Sequence, residues 1–249
     1  MSGAKSKWLE GRVVENRHWT EKLFSLRVEG PEFAFQAGQF VKLALDVDGK
    51  RIARAFSFVN PPGTTDLEFY GVIVPGGPLS PHLARLEAGD GIFLSPNPAG
   101  FLVLREVPDG ADLWMIASGT GLAPFLSILR TETPWQRYER VLLVHAVRYA
   151  AELVYRDLIV DLTRAHSQFS YVRFVSRERA AGTLEGRVPA AIRDGSLEAA
   201  RGPISAERSR FMLCGNPDMV KDVSVALIER GLRKHRRRAP GHITVENFW

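Results

Sequence analysis

Cysteine is nearly absent: the 249-residue chain carries one, Cys214. A single thiol excludes an internal disulfide and a four-thiolate iron–sulfur centre, and it fits a reducing, cytoplasmic setting. Histidine is sparse and scattered, with six residues and no HxxxH-type pair, so no protein-bound metal is expected. No apolar run approaches the roughly 20 residues that a bilayer span needs. The opening stretch MSGAKSKWLEG has no apolar core of the signal-peptide kind. A GxSxG elbow and an HExxH pair are also missing. No acid–base pair, repeat or low-complexity tract stands out.

What remains is an ordinary globular composition, 45% hydrophobic and 24% charged, with a formal net charge of +5. That length and balance allow a large core in one or two domains. Much of the positive excess lies in RGLRKHRRR, Arg230 to Arg238. Such a run suits a solvated helix end, where cations complement the dipole, and it suits an acidic protein partner. Without a zinc finger or an aromatic–basic stretch, nucleic acid is not the expected partner.

The chain changes character once. Up to residue 106, short β-like runs are split by turn residues: GRVVENR, LFSLRVEG, QFVKLALDV, RAFSFVN, LEFYGVIV and GIFLSPN. Strands at this spacing predict a barrel or sandwich, interrupted by one short helix from Ser80 to Leu86. From residue 107 the rhythm alternates. DLWMIAS, RVLLVHAV, YVRFVS and FMLCG read as buried strands. APFLSILR, AELVYRDLIVDLTRA, a short piece of LEGRVPAAIRDG, and PDMVKDVSVALIERGL read as helices. The polar segment Asp194 to Arg210 reads as a loop with a frayed helix. Continuous apolar strands alternating with amphipathic helices predict a parallel sheet covered on both faces. The expected organisation is an antiparallel Greek-key β-barrel over residues 1–106 and a Rossmann-like α/β domain over 107–249.

Between DLWMIAS and its helix lies GTGLAP, Gly119 to Pro124. A glycine turn between strand and helix lets backbone amides meet a pyrophosphate. Pro124 replaces the usual third glycine, and proline suits the first turn of a helix. A tight turn without a ligand is the plainer alternative. The following strands end without the acidic residue that holds an NAD ribose; they offer Arg148, Arg177 and, in LEGR, Arg187. Guanidinium forks suit a 2′-phosphate, which points to NADP; the alternative is pairing with Glu152, Glu178 or Glu185.

RAFSFVN, the later PLS before a helix, SGTGLAP and CGNPDMV, in this order, resemble the ferredoxin–NADP⁺ reductase family, most of all its bacterial ferredoxin/flavodoxin reductases. AGQFVKL, HAVRYAAEL, FVSRE and the ending RRRAPGHITVENFW extend the resemblance over nearly the whole chain. It implies an FAD-binding barrel. Arg54 would neutralise the FAD pyrophosphate, Phe56 would lie near the flavin, and Ser57 would direct its hydroxyl toward N5. Ala55 would add a contact, and Phe58 and Val59 would add backbone contacts. Alternation puts Phe56 and Phe58 on one face and Ser57 on the other, so the strand needs a twist or bulge to present all three. Tyr70, Gly71, Val72 and Ile73 would line the flavin or ribityl chain, and Gly71 inside a strand marks a close approach. Pro78, Leu79 and Ser80 would offer amides to the pyrophosphate, with Ser80 as a helix N-cap. Phe248 and Trp249 would return to the FAD, with Trp249 stacked at the adenine. Phe56 and Phe248 stand where relatives commonly have tyrosine.

On the NADP side the resemblance assigns Gly119, Gly121, Arg148, Arg177, Arg187, Asn216 and Asp218. It sets Thr120 at the junction of flavin and nicotinamide, in contact with the FAD, and Cys214 beside the nicotinamide; a small buried hydrophobe is the plainer reading of Cys214. The implied enzyme moves hydride between NADPH and FAD and passes single electrons to ferredoxin or flavodoxin. These carriers are acidic, so Arg230, Arg233, Lys234 and Arg236 to Arg238 are the expected docking residues. The alternatives are a related flavin or quinone reductase and a non-redox nucleotide-binding protein. Nothing demands more than a monomer.

Overall fold

The computed structural model describes residues 8–30, 32 and 34–247. Six strands come first: β1 (Leu9–His18), β2 (Leu23–Glu29), β3 (Phe40–Val47), β4 (Lys50–Ser57), β5 (Asp66–Val72) and β6 (Gly91–Leu94). They pair antiparallel in the order β4–β3–β6–β1–β2–β5. An isolated antiparallel bridge between Phe58 and Phe69 joins the two ends into a barrel. Alternation fills its interior: Phe24, Leu26 and Val28 of β2 pack with Phe58 and Phe69. Phe35 stacks on Phe58 at 3.9 Å between ring centroids. Leu23 and Ser25 point the other way and are still buried, because the second domain covers that face. A short helix, α1 (Ser80–Leu83), adds Leu83 to the barrel core.

The second sheet is wholly parallel: β7 (Asp112–Ser118), β8 (Arg140–Val147), β9 (Phe169–Val175), β10 (Leu184–Glu185), β11 (Ser209–Gly215) and β12 (Ile243–Asn247). Its order is β10–β9–β8–β7–β11–β12. Six helices accompany it: α2 (Ala123–Leu129), α3 (Thr133–Arg137), α4 (Arg156–Ala165), α5 (Val188–Arg193), α6 (Ser196–Arg201) and α7 (Pro217–Glu229). Two hydrophobic clusters, one on each face, leave β7 buried on both sides, as its unbroken apolar run requires. One of these clusters also takes in Leu23, Val59 and Tyr70 from the barrel. The α2 face is therefore the joint between the domains. Among the described residues no helix is long and apolar enough to cross a membrane.

Four elements differ from expectation, one of them the two-residue strand β10 within LEGRVPAAIRDG, where only a helix is expected. The helix expected from Ala151 starts only at Arg156, because Tyr155 sits in the left-handed region at φ 58°, where Leu153 and Val154 have turned inward to burial. α3 and β12 were not anticipated. The sequence ITVEN carries too little apolar pattern to announce a strand; pairing with β11 makes it one.

Candidate active site

RAFSFVN is a strand only as far as Ser57. Up to there it pairs with β3, Phe40 opposite Ser57. The chain then changes partner: Phe58 N–H still donates to the Gln39 carbonyl at 3.2 Å, but Val59 N–H donates to Glu68 on β5 at 2.8 Å. Ser57 thus lies at the corner that closes the barrel, and this corner supplies the bend that strict alternation needs. The Ser57 hydroxyl is buried and without a hydrogen-bond partner among the described residues. A buried unpaired hydroxyl is costly, and a ligand atom would satisfy it.

Arg54 is exposed, and among the described residues its guanidinium donates only to the adjacent Ala53 carbonyl, so its fork is open to a phosphate. Ala55 is exposed beside it. Phe56 is half-buried, with its ring against Gly71: a Cβ there would come within 3.0 Å of the Phe56 ring and 2.7 Å of Phe24. That close approach is why glycine interrupts β5. The Phe58 side chain is wholly enclosed in the barrel core, which leaves its backbone as the part that could meet a ligand, and Val59 lies in the inter-domain core with its N–H and its carbonyl both bonded to protein.

Tyr70 and Val72 turn toward the domain joint, while Ile73 packs on the barrel core. These residues therefore do not line one surface. The Tyr70 ring meets Tyr155 edge-on at 5.4 Å, and its buried hydroxyl lacks a partner. Ser80 is not the N-cap. Leu79 occupies that position without a side-chain bond, and the Ser80 hydroxyl instead accepts Val74 N–H at 2.9 Å. Ser80 thereby ties down the 74–80 loop, in which Pro78 is exposed and Leu79 buried. Phe248 and Trp249 lie outside the described residues.

The dinucleotide turn behaves as its sequence suggests. Gly119 is left-handed at φ 52°. Gly119–Leu122 form a 3₁₀ turn that runs straight into α2, with a proline in the first helical turn. A Cβ on Gly121 would sit 2.5 Å from the Cys214 carbonyl, so only glycine lets the turn rest on β11. Thr120 is half-buried at its apex. Cys214 is fully buried behind it, and burial pushes its thiol well above the usual range, so the thiol is neutral. Asn216 caps α7, accepting from Asp218 N at 2.9 Å and Met219 N at 3.2 Å, with Pro217 opening the helix. Asp218 is an exposed first-turn acid.

Arg148, Arg177 and Arg187 are all exposed, just past the carboxyl ends of β8, β9 and β10. Arg177 N–H donates to the Arg148 carbonyl at 3.0 Å, which sets those two residues side by side. The nearby acids are engaged elsewhere: Glu152 accepts the Arg148 and Tyr149 N–H groups, Glu178 accepts Ala150 N–H, and Glu185 pairs with Arg179. None of the three arginines has an ion pair among the described residues. The exposed Tyr149 ring lies 6.0 Å from the Arg177 guanidinium.

Two further residues lie within HAVRYAAEL and RRRAPGHITVENFW, where the sequence assigns them no role. His145 is fully buried beneath the turn, with Nε2 3.2 Å from the Gly119 carbonyl and Nδ1 3.3 Å from the Tyr171 hydroxyl. A carbonyl only accepts, so Nε2 bears the proton and Tyr171 donates to Nδ1. Burial lowers the imidazole to about 4, so it is neutral. Glu246, on β12, is the register partner of Cys214. Its Oε1 accepts Phe101 N–H at 3.3 Å from the barrel side, its Oε2 is unpartnered, and burial lifts the carboxyl to about 7.

The basic run divides. Arg230 bonds Glu198 and the Ile192 carbonyl, and so belongs to the α5–α6 side. Arg237 grips Glu106 through two bonds of 2.9 and 3.0 Å and lies over the exposed Phe101 ring at 4.5 Å. Arg233, Lys234, Arg236 and Arg238 are exposed and without ion pairs among the described residues.

Known proteins share this arrangement. Residues 13–100 match the oxidoreductase FAD-binding domain family, and residues 115–225 match the oxidoreductase NAD-binding domain family. The flavodoxin/ferredoxin–NADP reductase of Escherichia coli strain K12 is 49% identical over 245 residues, covering 97% of this chain and 99% of that protein. The ferredoxin–NADP reductase of Pseudomonas aeruginosa is 36% identical, covering 94% of this chain and 95% of that one. The crystal structure of a ferredoxin NADP⁺ reductase from Neisseria gonorrhoeae, with bound FAD and NADP, superposes with a TM-score of 0.93 at 37% identity, covering 98% of this chain and all of that one. The two-domain fold, the glycine turn and full-length identity near one half agree: this chain belongs to the flavodoxin/ferredoxin–NADP reductase family.

Proposed function

We infer that this chain is an FAD-dependent oxidoreductase that moves electrons between NADPH and a flavodoxin or ferredoxin. The observation that carries this reading is the meeting of two sites: the barrel corner at Ser57 and the glycine turn at Gly119–Leu122 flank one hydrophobic joint. When bound, FAD accepts hydride and releases electrons one at a time.

The residues present fit that cofactor. Arg54 offers an open fork to the pyrophosphate, and the first-turn amides of α1 can add to it. Phe56 offers a flat apolar face. Ser57 brings an unpaired buried hydroxyl to the reacting edge, and Thr120 brings a second hydroxyl from the other domain. The turn supplies amides to the NADP pyrophosphate, held from beneath by neutral His145. Arg148, Arg177 and Arg187, without carboxylate partners among the described residues, supply forks to the 2′-phosphate, and Tyr149 adds an aromatic surface beside them. Arg233, Lys234, Arg236 and Arg238 form a positive surface for an acidic carrier, and their exposure suits steering of its approach. A bacterial cytoplasmic location is consistent with such carriers.

The test begins with an absorbance spectrum of purified protein, then anaerobic titration with NADPH and NADH. Flavin bands that bleach with NADPH and barely with NADH are expected. Turnover on flavodoxin and ferredoxin should exceed turnover on free flavin at matched concentrations. Colourless protein that takes up no FAD would overturn the reading.

A further inference from the structure

The dinucleotide turn is bound to the flavin strand by hydrogen bonds that cross the domain joint at two points. α2 follows the Gly119–Leu122 turn without an intervening residue. Along it, the fully buried Ser127 hydroxyl donates to the Asn60 carbonyl at 2.7 Å. Arg130, just past the helix, reaches the Val59 carbonyl at 3.4 Å and Glu68 at 3.6 Å. Val59 and Asn60 stand two and three residues after Ser57. Asn60 is itself immobilised: its Oδ1 accepts Glu68 N–H at 2.8 Å, and its Nδ2 donates to Thr64 at 2.6 Å. The carbonyl that Ser127 holds is therefore a fixed point.

The second tie is a directed chain of protons. Trp19 Nε1–H donates to Ser25 Oγ at 2.5 Å. Tyr155 O–H donates to Glu68 Oε1 at 2.9 Å, so at the 2.8 Å contact between them the Ser25 hydroxyl donates to Tyr155. Every hydroxyl both gives and receives, and the chain ends on a carboxylate. Tyr155 alone of these comes from the second domain. It is buried in the left-handed region at φ 58°, a conformation a non-glycine residue holds only where its surroundings impose it. Both ties end on one short patch, because Val59 N–H donates to the Glu68 carbonyl.

Apolar contact between the domains is already supplied by Tyr70, Leu122, Phe125 and Leu126. Such packing is not directional, whereas these bonds fix a register. Hydride transfer needs donor and acceptor atoms roughly 3–3.5 Å apart, and small misplacements are costly. We propose that Ser127 and Tyr155 are positioning residues, a two-point clamp that sets the separation of the flavin strand from the dinucleotide turn. This rests on the reductase reading above.

The test compares the FAD-loaded wild type with Ser127→Ala, Tyr155→Phe and the double variant. Binding of 2′-phospho-AMP, which lacks a nicotinamide, probes the arginine end alone. The flavin difference spectrum at saturating NADP⁺ probes ring placement without turnover. Stopped-flow reduction with NADPH gives the hydride rate. The clamp predicts 2′-phospho-AMP affinity within about twofold of wild type in every variant. It predicts a weaker difference spectrum and a hydride rate lowered by about threefold in each single variant and about tenfold in the double. Ser127→Thr, which keeps the hydroxyl, should restore the Ser127 share. An unchanged spectrum and rate in the double variant would overturn the clamp, as would losses that run parallel to 2′-phospho-AMP affinity. Should the double variant not fold, the single variants decide on the same criteria. Wild-type protein that NADPH does not reduce would overturn the reductase reading instead.

Discussion

Cys214 and Glu246 are register partners on neighbouring parallel strands, so a thiol and a carboxyl share one buried end of the sheet. Burial raises both, the carboxyl from 4.5 to about 7. A carboxyl raised on folding stabilises the protein fully below its ordinary value and loses that contribution as pH rises through the folded value. The Glu246 contribution should therefore fall between pH 4.5 and about 7 and level off above, by roughly 3 kcal/mol at most, while buried His145, lowered to about 4, contributes a rising slope that wild type and variant share. Glu246→Gln keeps the shape but cannot titrate, so the variant should lack the falling contribution. Urea midpoints across this range measure it; equal slopes in both proteins would refute it.

Ser57→Ala should separate stability from activity. The Ser57 hydroxyl has no partner among the described residues, so its removal should leave the melting temperature level or higher. If that hydroxyl meets the flavin edge, the rate of flavin reduction should drop about tenfold, one hydrogen bond's worth in the reacting complex. FAD content should be unchanged. A melting temperature several degrees lower would assign the hydroxyl a structural partner instead.

Arg148, Arg177 and Arg187 should discriminate between nicotinamide cofactors as a set. A charge-assisted bond contributes about 1.5–3 kcal/mol, so replacing any one by Ala should raise KM for NADPH about tenfold or more. KM for NADH, which has no 2′-phosphate, should hardly move. A parallel rise for both cofactors would place the arginine outside the phosphate site.

Much of the fold is readable along the chain, and the reasons are local. β7 and β8 begin and end where DLWMIAS and RVLLVHAV predict, because a strand buried on both faces must be apolar throughout. GTGLAP is readable because glycine is demanded twice, by a left-handed φ at Gly119 and by the Cys214 carbonyl at Gly121. What is not readable depends on distant partners. Glu246 lies in the GHITVENFW ending, but nothing in that pattern announces its burial, which comes with the pairing of β12 on β11. Ser80 has a capping residue's identity, yet its hydroxyl is taken by Val74. Arg230 looks like its basic neighbours until Glu198 claims it. Tyr155 gives no sign in sequence of a left-handed turn within a helical pattern.

Gly121→Ala tests the turn by crowding alone. The new methyl would meet backbone, which cannot swing aside as a side-chain tip can. The turn must lift off β11, so NADPH binding should weaken more than tenfold, with the barrel and its flavin absorbance intact. Calorimetric binding of NADP⁺ to the yellow variant reads this directly, and unchanged affinity would show that the turn has slack.

The basic segment should act on encounter with the carrier. Arg233, Lys234, Arg236 and Arg238 are exposed and unpaired among the described residues, whereas Arg230 and Arg237 are bound to Glu198 and Glu106. Replacing the first four by Gln should therefore lower kcat/KM for flavodoxin by about tenfold at low ionic strength. The difference should fade toward about 0.5 M salt, where screening acts within a few ångströms. Arg230→Gln should instead lower stability with little effect on the salt slope, since it leaves Glu198 without its partner. Flavin reduction by NADPH stays as an internal reference. If the fourfold variant keeps both the wild-type kcat/KM and its salt dependence, the carrier docks on another face.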